Sequence, residues 1–162
     1  MEIELTPNQI ITLNDYPVYN DSILNEYFTK CKLGEELPFV PVIRKDVVKK
    51  YLDDTLLERF ERFENLNPEA EYFMLDGSHR TTALTLAGCK ITAIIYETDP
   101  DIEQAKKLVA TGQILQNETL EYSLIENCEE LNKHFREKPY FRTVNQKTEK
   151  MKRERILPLE MN

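Results

Sequence analysis

Tryptophan is absent from the 162 residues, glycine occurs four times, cysteine three times and histidine twice. Four glycines and eight prolines are too few for a collagen-like repeat or a Pro/Gly low-complexity chain. Cys31, Cys89 and Cys128 are far apart, odd in number and form no Cys-x-x-Cys pair. That spacing excludes a zinc knuckle and a thioredoxin-like site, and leaves reduced thiols in a cytoplasmic protein as the simplest expectation. Long apolar runs are missing too. Nothing approaches the ~20 residues of a membrane span, and residues 1–8 (MEIELTPN) lack the basic-then-apolar order of a signal peptide, so no membrane partner is expected. Basic charge is scarce: 21 Lys and Arg against 29 Asp and Glu give −8 and a pI near 4.9. Phosphate neutralisation needs a positive surface, so this balance argues against unassisted DNA binding over the chain as a whole.

What is present suffices for one domain. Hydrophobic residues make up 41% of a 19.1 kDa chain and charged residues 31%, enough apolar material for a core beneath a charged surface. Residues 2–5 alternate and precede Thr6-Pro7, which reads as an edge strand entering a loop. Residues 14–22 are turn-rich, and Asp21 or Ser22 is placed to cap a short helix through Lys30. Pro38 to Ile43 reads as a strand whose two prolines confine it to a sheet edge or give it an irregular start. From Asp46 onward, Val48, Tyr51, Leu52, Leu56, Phe60 and Phe63 recur at helical steps, with Asp53, Asp54 and Thr55 as a break point.

Tyr72 to Leu75 is an apolar run suited to a buried strand. The Asp76-Gly77-Ser78 turn follows, with Ser78 as N-cap of a helix over Ala83, Leu84 and Ala87 that Gly88 closes. A second strand runs from Ile91 to Tyr96. Asp99 as N-cap and Pro100 open another helix, ended by Gly112. A last helix is expected from Thr119 to Arg136, with Leu120, Leu124, Cys128, Leu131 and Phe135 on one stripe. The tail differs in kind. Residues 138–162 carry seven basic residues against Glu149, Glu154 and Glu160, a net +4 that leaves −12 on residues 1–137.

Chemistry concentrates in Asp76-Gly77-Ser78-His79-Arg80, between a buried strand and the first turn of a helix. A helix N-terminus offers unpaired backbone N–H groups and the positive end of the dipole, so it favours an anion such as phosphate. Gly77 removes a side chain where a ligand must approach, Ser78 can donate to a phosphate oxygen, and Arg80 offers a planar fork. His79 can donate or shuttle a proton, and Asp76 can hold Mg²⁺ or polarise an acceptor hydroxyl. Each residue also has an ordinary reading, as turn, cap, hydrogen-bonded histidine or surface ion pair. Their coincidence at one helix start favours an anion site, with its chemistry open.

The segment from Leu75 to Ile91 (LDGSHRTTALTLAGCKI) resembles the signature of the ParB/sulfiredoxin superfamily. The order of elements extends the likeness over residues 1–112, leaving 113–162 as a C-terminal helical extension with a basic tail. Sulfiredoxins carry a nucleophilic cysteine directly before the His-Arg pair, where this chain has Ser78. Chromosome-partition ParB proteins have an Arg-Arg box and a following helix-turn-helix domain, for which too little chain remains here. The Asp-Gly-x-His-Arg box is most similar to that of the free serine kinases. That resemblance implies nucleotide phosphates, of ATP or ADP or else CTP, held at Gly77, Ser78, His79, Arg80 and Thr81. It also implies Asp76 and His79 as catalytic groups and Mg²⁺ on Asp76. The kinases place a general-base carboxylate after the first strand in a Pro-x-Glu context. Here that place is Gln9, which takes no proton at neutral pH, so Asp15, Glu35 or Glu36 would have to serve.

The expected fold is therefore α/β (α+β): a small mixed sheet with surrounding helices and the helical extension. The first functional expectation is a nucleotide-binding protein with kinase chemistry on a small hydroxyl compound such as serine. The second is a non-enzymatic DNA-associated partition or regulatory module using Lys147, Lys150, Lys152, Arg153 and Arg155, whose ordinary reading is a solvated helix end. ParB-like nuclease activity is the third.

Overall fold

β-Branched and aromatic residues form one mixed five-stranded sheet in the computed structural model, which describes residues 1–18, 20–158 and 161. The strands are β1 (Glu2–Leu5), β2 (Ile10–Ile11), β3 (Val40–Arg44), β4 (Tyr72–Met74) and β5 (Ile91–Ile95), in the spatial order β1-β5-β3-β4-β2. β1 runs antiparallel to β5 and β3 antiparallel to β4, while β3/β5 and β2/β4 are parallel. The helices are α1 (Asp21–Lys32), α2 (Lys45–Val48), α3 (Asp54–Leu66), α4 (Ser78–Leu86), α5 (Asp99–Lys107), α6 (Leu124–Glu137) and α7 (Val144–Arg153). Among the described residues, no helix is long and apolar enough to cross a membrane.

Alternate strand residues face opposite sides, so each strand feeds two cores. Ile11, Ile43, Phe73 and Ile94 pack with Leu56 and Phe60 of α3, Ile102 of α5, and Cys128, Leu131 and Phe135 of α6. An aromatic knot sits here: Phe60 lies 5.1 Å from both Phe73 and Phe141 between ring centroids, and Phe135 lies 4.7 Å from Phe141. On the opposite face, Val40, Val42, Met74, Ala93 and Ile95 pack with Leu84 of α4 and Val144 of α7. Leu24 of α1, Ala83 of α4 and Met151 of α7 make a third cluster beside it. Both faces of the sheet are thus covered by helices, each of them partly by the C-terminal extension, through α6 on one and α7 on the other.

Several expectations are corrected. β3 is the central strand, not an edge strand, despite Pro41. Pro41 is tolerated because it precedes the stretch, beginning at Val42, where β3 pairs with β4, and its carbonyl accepts from the Leu75 N–H. The apolar stripe from residue 48 breaks where expected, at Asp53, with α2 and a 3₁₀ turn at Lys49–Tyr51 before it and α3 after it. The stripe from Thr119 is likewise cut, because Ser123 and Glu126 form a capping box that restarts the chain as α6 after a 3₁₀ turn at Glu118–Glu121. Caps shift by one residue: Asn20 caps α1, and Thr98 with Asp101 boxes α5. β2 and α7 have no counterpart in the expected elements.

Phe135→Ala tests whether the extension belongs to the sheet's core. Removing this fully buried ring should lower unfolding stability by about 3–5 kcal/mol in urea titration. A loss below ~1 kcal/mol would show α6 to be an appendage.

Candidate functional site

The parallel pairing of β2 with β4 positions the site. Ile10 lies beside Tyr72 and Ile11 beside Phe73, so the residues that follow the two strands continue side by side. Four steps beyond Ile11, Asp15 arrives at the turn where Gly77 ends the β4 segment and Ser78 begins α4. The other flank of this stretch is held by residues leading into α7: the Thr12 N–H donates to the Arg142 carbonyl, and Ile11 bridges Thr143. Thr143 then caps α7 in a box with Gln146, which sets Lys147 one turn into the helix and over Asp15.

The result is a polar chain linking three segments. Ser78 Oγ donates to Asp15 Oδ2 at 2.5 Å, and Lys147 Nζ donates to Asp15 Oδ1 at 2.5 Å and to Thr12 Oγ1 at 3.4 Å. Lys147 is 2% exposed, whereas the Asp15 side chain is 43% exposed. Burial pushes the Lys147 ammonium below its ordinary pKa, and the Asp15 carboxylate pushes back.

Both histidines of the chain lie in the field of this carboxylate. His79 is held below its ordinary pKa by burial, with Asp15 opposing and Lys147 adding, and its Nε2 is buried with no hydrogen-bond partner among the described residues. His134 of α6 is also lowered by burial, and its Nε2 accepts from the Asn14 N–H at 2.8 Å.

Gly77, not Ser78, is the N-cap of α4. Its φ of +114° lies in the left-handed region, and a Cβ there would meet Arg80 Nη2 at 3.2 Å and Val40 Cγ2 at 3.3 Å. Among the described residues no side chain caps α4, so the first-turn N–H groups, which have no intrahelical acceptor, receive no side-chain one either. Ser78 becomes the first helical residue, and its hydroxyl turns to Asp15 instead of to its own backbone.

Arg80 faces inward. It is 2% exposed, donating from Nη1 to the Pro38 and Phe39 carbonyls at 3.0 and 2.7 Å and from Nη2 to Asp76 Oδ2 at 2.8 Å. Thr81 is also buried, its hydroxyl donating to the Gly77 and Ser78 carbonyls. Asp76 remains partly exposed, with Oδ2 engaged by Arg80. Tyr96, read from the sequence as strand interior, is fully buried with its hydroxyl unpartnered; burial first, then the Asp76 charge, raises its pKa. An apolar run gives no signal for such an atom.

The other carboxylates considered as bases lie elsewhere. Gln9 Oε1 accepts from the Thr6 N–H, and the Gln9 carbonyl takes the N–H groups of Glu71 and Tyr72 at the opposite end of β4. From Tyr72 to Asp76 is roughly 13 Å along the strand direction. Glu35 and Glu36 line a groove of about 610 Å³ with Glu2, Glu4, Lys90 and Cys89, and this groove includes none of residues 76–80. Among the described residues, no group of three or more His, Cys, Asp or Glu side chains is arranged to hold a metal ion. Asp76 alone therefore fits Mg²⁺ only in the shared manner in which phosphates complete the coordination.

The tail is folded onto the body. Val144, Lys147, Thr148 and Met151 are the buried side of α7, Lys150 pairs with Glu154 at 2.8 Å, and Lys152 pairs with Glu149 at 3.3 Å. Lys150 also lies 3.8 Å from the Tyr16 ring centroid. Lys147 thus points away from the surface on which the other four basic residues lie. Tyr19 of the turn-rich stretch, and Leu159, Glu160 and Asn162 of the tail, lie outside the described residues.

No family model, curated protein or solved structure matches the chain.

The depressed histidines give a pH dependence of definite sign. The unfolded chain takes up protons near pH 6.5, while His134 and His79 resist them in the folded state, so stability is full above pH 6.5 and falls below it. Tm should drop between pH 7 and 5.5, and His134→Gln should shallow that slope; an unchanged slope would remove His134 from the linkage.

Proposed function

We propose that the chain binds nucleotide phosphates at the start of α4 and uses them for phosphoryl transfer to a small hydroxyl compound. The observation that carries this reading is the juxtaposition of an uncapped helix start with a half-exposed carboxylate already accepting a hydroxyl proton, Ser78 Oγ to Asp15 at 2.5 Å. Phosphate oxygens meet the N–H groups of Ser78, His79 and Arg80, the Ser78 hydroxyl and the His79 ring. Arg80 supports this site from beneath: its fork on Asp76 and on the Pro38 and Phe39 carbonyls fixes the turn from which α4 starts.

Asp15 takes the place that Gln9 leaves vacant. The acceptor's O–H proton passes to Asp15 as its oxygen bonds the terminal phosphorus and the bond from that phosphorus to the bridging oxygen breaks, the shortened nucleotide leaving with the bridging oxygen. Asp76, the protein carboxylate nearest in sequence to those N–H groups, would hold Mg²⁺ together with the phosphates, and the ion would supply neutralisation of their charge. ATP, ADP and CTP all carry the phosphates this reading requires. Nucleic acid contact through residues 138–162 draws less support, because Lys147 is spent inside and Lys150 and Lys152 are paired.

Millimolar ATP, ADP or CTP with Mg²⁺ should raise Tm, as expected for a ligand that binds only the folded state. Ser78→Ala should weaken that binding about tenfold, the worth of one hydrogen bond to a charged group. Absence of any nucleotide response in the unaltered protein overturns the reading.

A further inference from the structure

We infer that Asp15 is an internal stand-in for a bound phosphate, and that Lys147 is the phosphate's counter-charge once Asp15 withdraws. The inference deepens the nucleotide reading and rests on it, since it concerns the same anion at the start of α4.

Four observations lead to it. Asp15 lies against the start of α4, accepting from the hydroxyl of its first residue, Ser78, while among the described residues no side chain takes the first-turn N–H groups. Its partner Lys147 is buried, although α7 has a solvent-facing side on which its other basic residues sit. Burying an ammonium costs several kcal/mol, and a carboxylate that is itself 43% exposed offsets this incompletely. If packing were the only requirement, an apolar side chain beside Val144 and Met151 would serve better. Thirdly, Asp15 belongs to no helix or strand, so it can swing toward solvent without breaking a backbone ladder. Finally, His79 Nε2 is buried and has no hydrogen-bond partner among the described residues, an unmet bond next to the same helix start.

A phosphate replacing the carboxylate would keep Lys147 paired and Ser78 bonded, and would satisfy the first-turn N–H groups that Asp15 leaves open. The displaced Asp15, freed of both partners, then faces the acceptor hydroxyl as an unencumbered base. Binding and activation of the base become one event. The C-terminal extension is thereby part of the site through a single ammonium.

Asp15→Asn tests this with inorganic phosphate as probe. The substitution leaves Lys147 without a carboxylate, so the variant should lose stability in chloride and regain it in phosphate at matched ionic strength. Its phosphate affinity should exceed that of the unaltered protein at least tenfold, and Asp15→Asn with Lys147→Met should not respond. Equal phosphate affinity in Asp15→Asn and the unaltered protein overturns the inference, as does an equal response in the double variant. Should Asp15→Asn stay unfolded in chloride and phosphate alike, the absence of rescue counts against it too. Parallel titrations with ATP and Mg²⁺ separate the two ideas. A nucleotide response in the unaltered protein without phosphate rescue of the variant sinks the stand-in alone. Phosphate rescue with no nucleotide response in any variant sinks the nucleotide reading alone.

Discussion

The buried guanidinium of Arg80 is the constraint around which the rest is arranged. Its donors tie the end of β4, through Asp76, to the Pro38 and Phe39 carbonyls that lead into β3. Burial lowers the Arg80 pKa and Asp76 opposes the shift, the pattern of a cation kept inside by its partners. Gly77 follows from the same contact, because a Cβ in its place would press on Nη2 and Val40. With Gly77 left-handed and bare, α4 starts abruptly and uncapped. The site's open N–H groups are thus a by-product of how the arginine is housed.

The same residues explain what could be read from the sequence. The unit of strand, Gly turn, helix and strand from Tyr72 to Tyr96 was legible because apolar alternation, turn chemistry and helical spacing agree locally. β2 was not, since two isoleucines carry no period, and their strand exists only through pairing with β4. That pairing is also what carries Asp15 across 63 positions to Ser78, a juxtaposition with no local signature. Lys147 was hidden differently. In a run of lysines it reads as surface charge, and only its spacing with Val144 and Met151, behind the Thr143 and Gln146 capping box, marks it as inward. The role expected of Arg80 at the phosphate was inferred from residue type, while its partners depend on a loop forty residues upstream.

Charge takes a more definite form once the fold is known. Of the tail's seven basic residues, Lys147, Lys150 and Lys152 are paired with Asp15, Glu154 and Glu149, so its net +4 does not form a uniform basic face. The acidic body, in turn, offers a phosphate ligand few cations from solvent. Lys147, joined to Ser78 of α4 through Asp15, is a buried cation that is not locked like Arg80 on backbone carbonyls.

The two flanks of the sheet end in different ways with a common effect. β1 exposes Glu2 and Glu4 along its outer edge, so pairing two such edges antiparallel would set carboxylates against carboxylates. β2 is shielded on its far side by the bridge from Ile11 to Thr143 and the hydrogen bond from Thr12 to Arg142. One flank repels a neighbour and the other has no room for one. A lesion that loosens the start of α7 would leave β2 as an unpaired edge, open to pairing with a strand of another molecule.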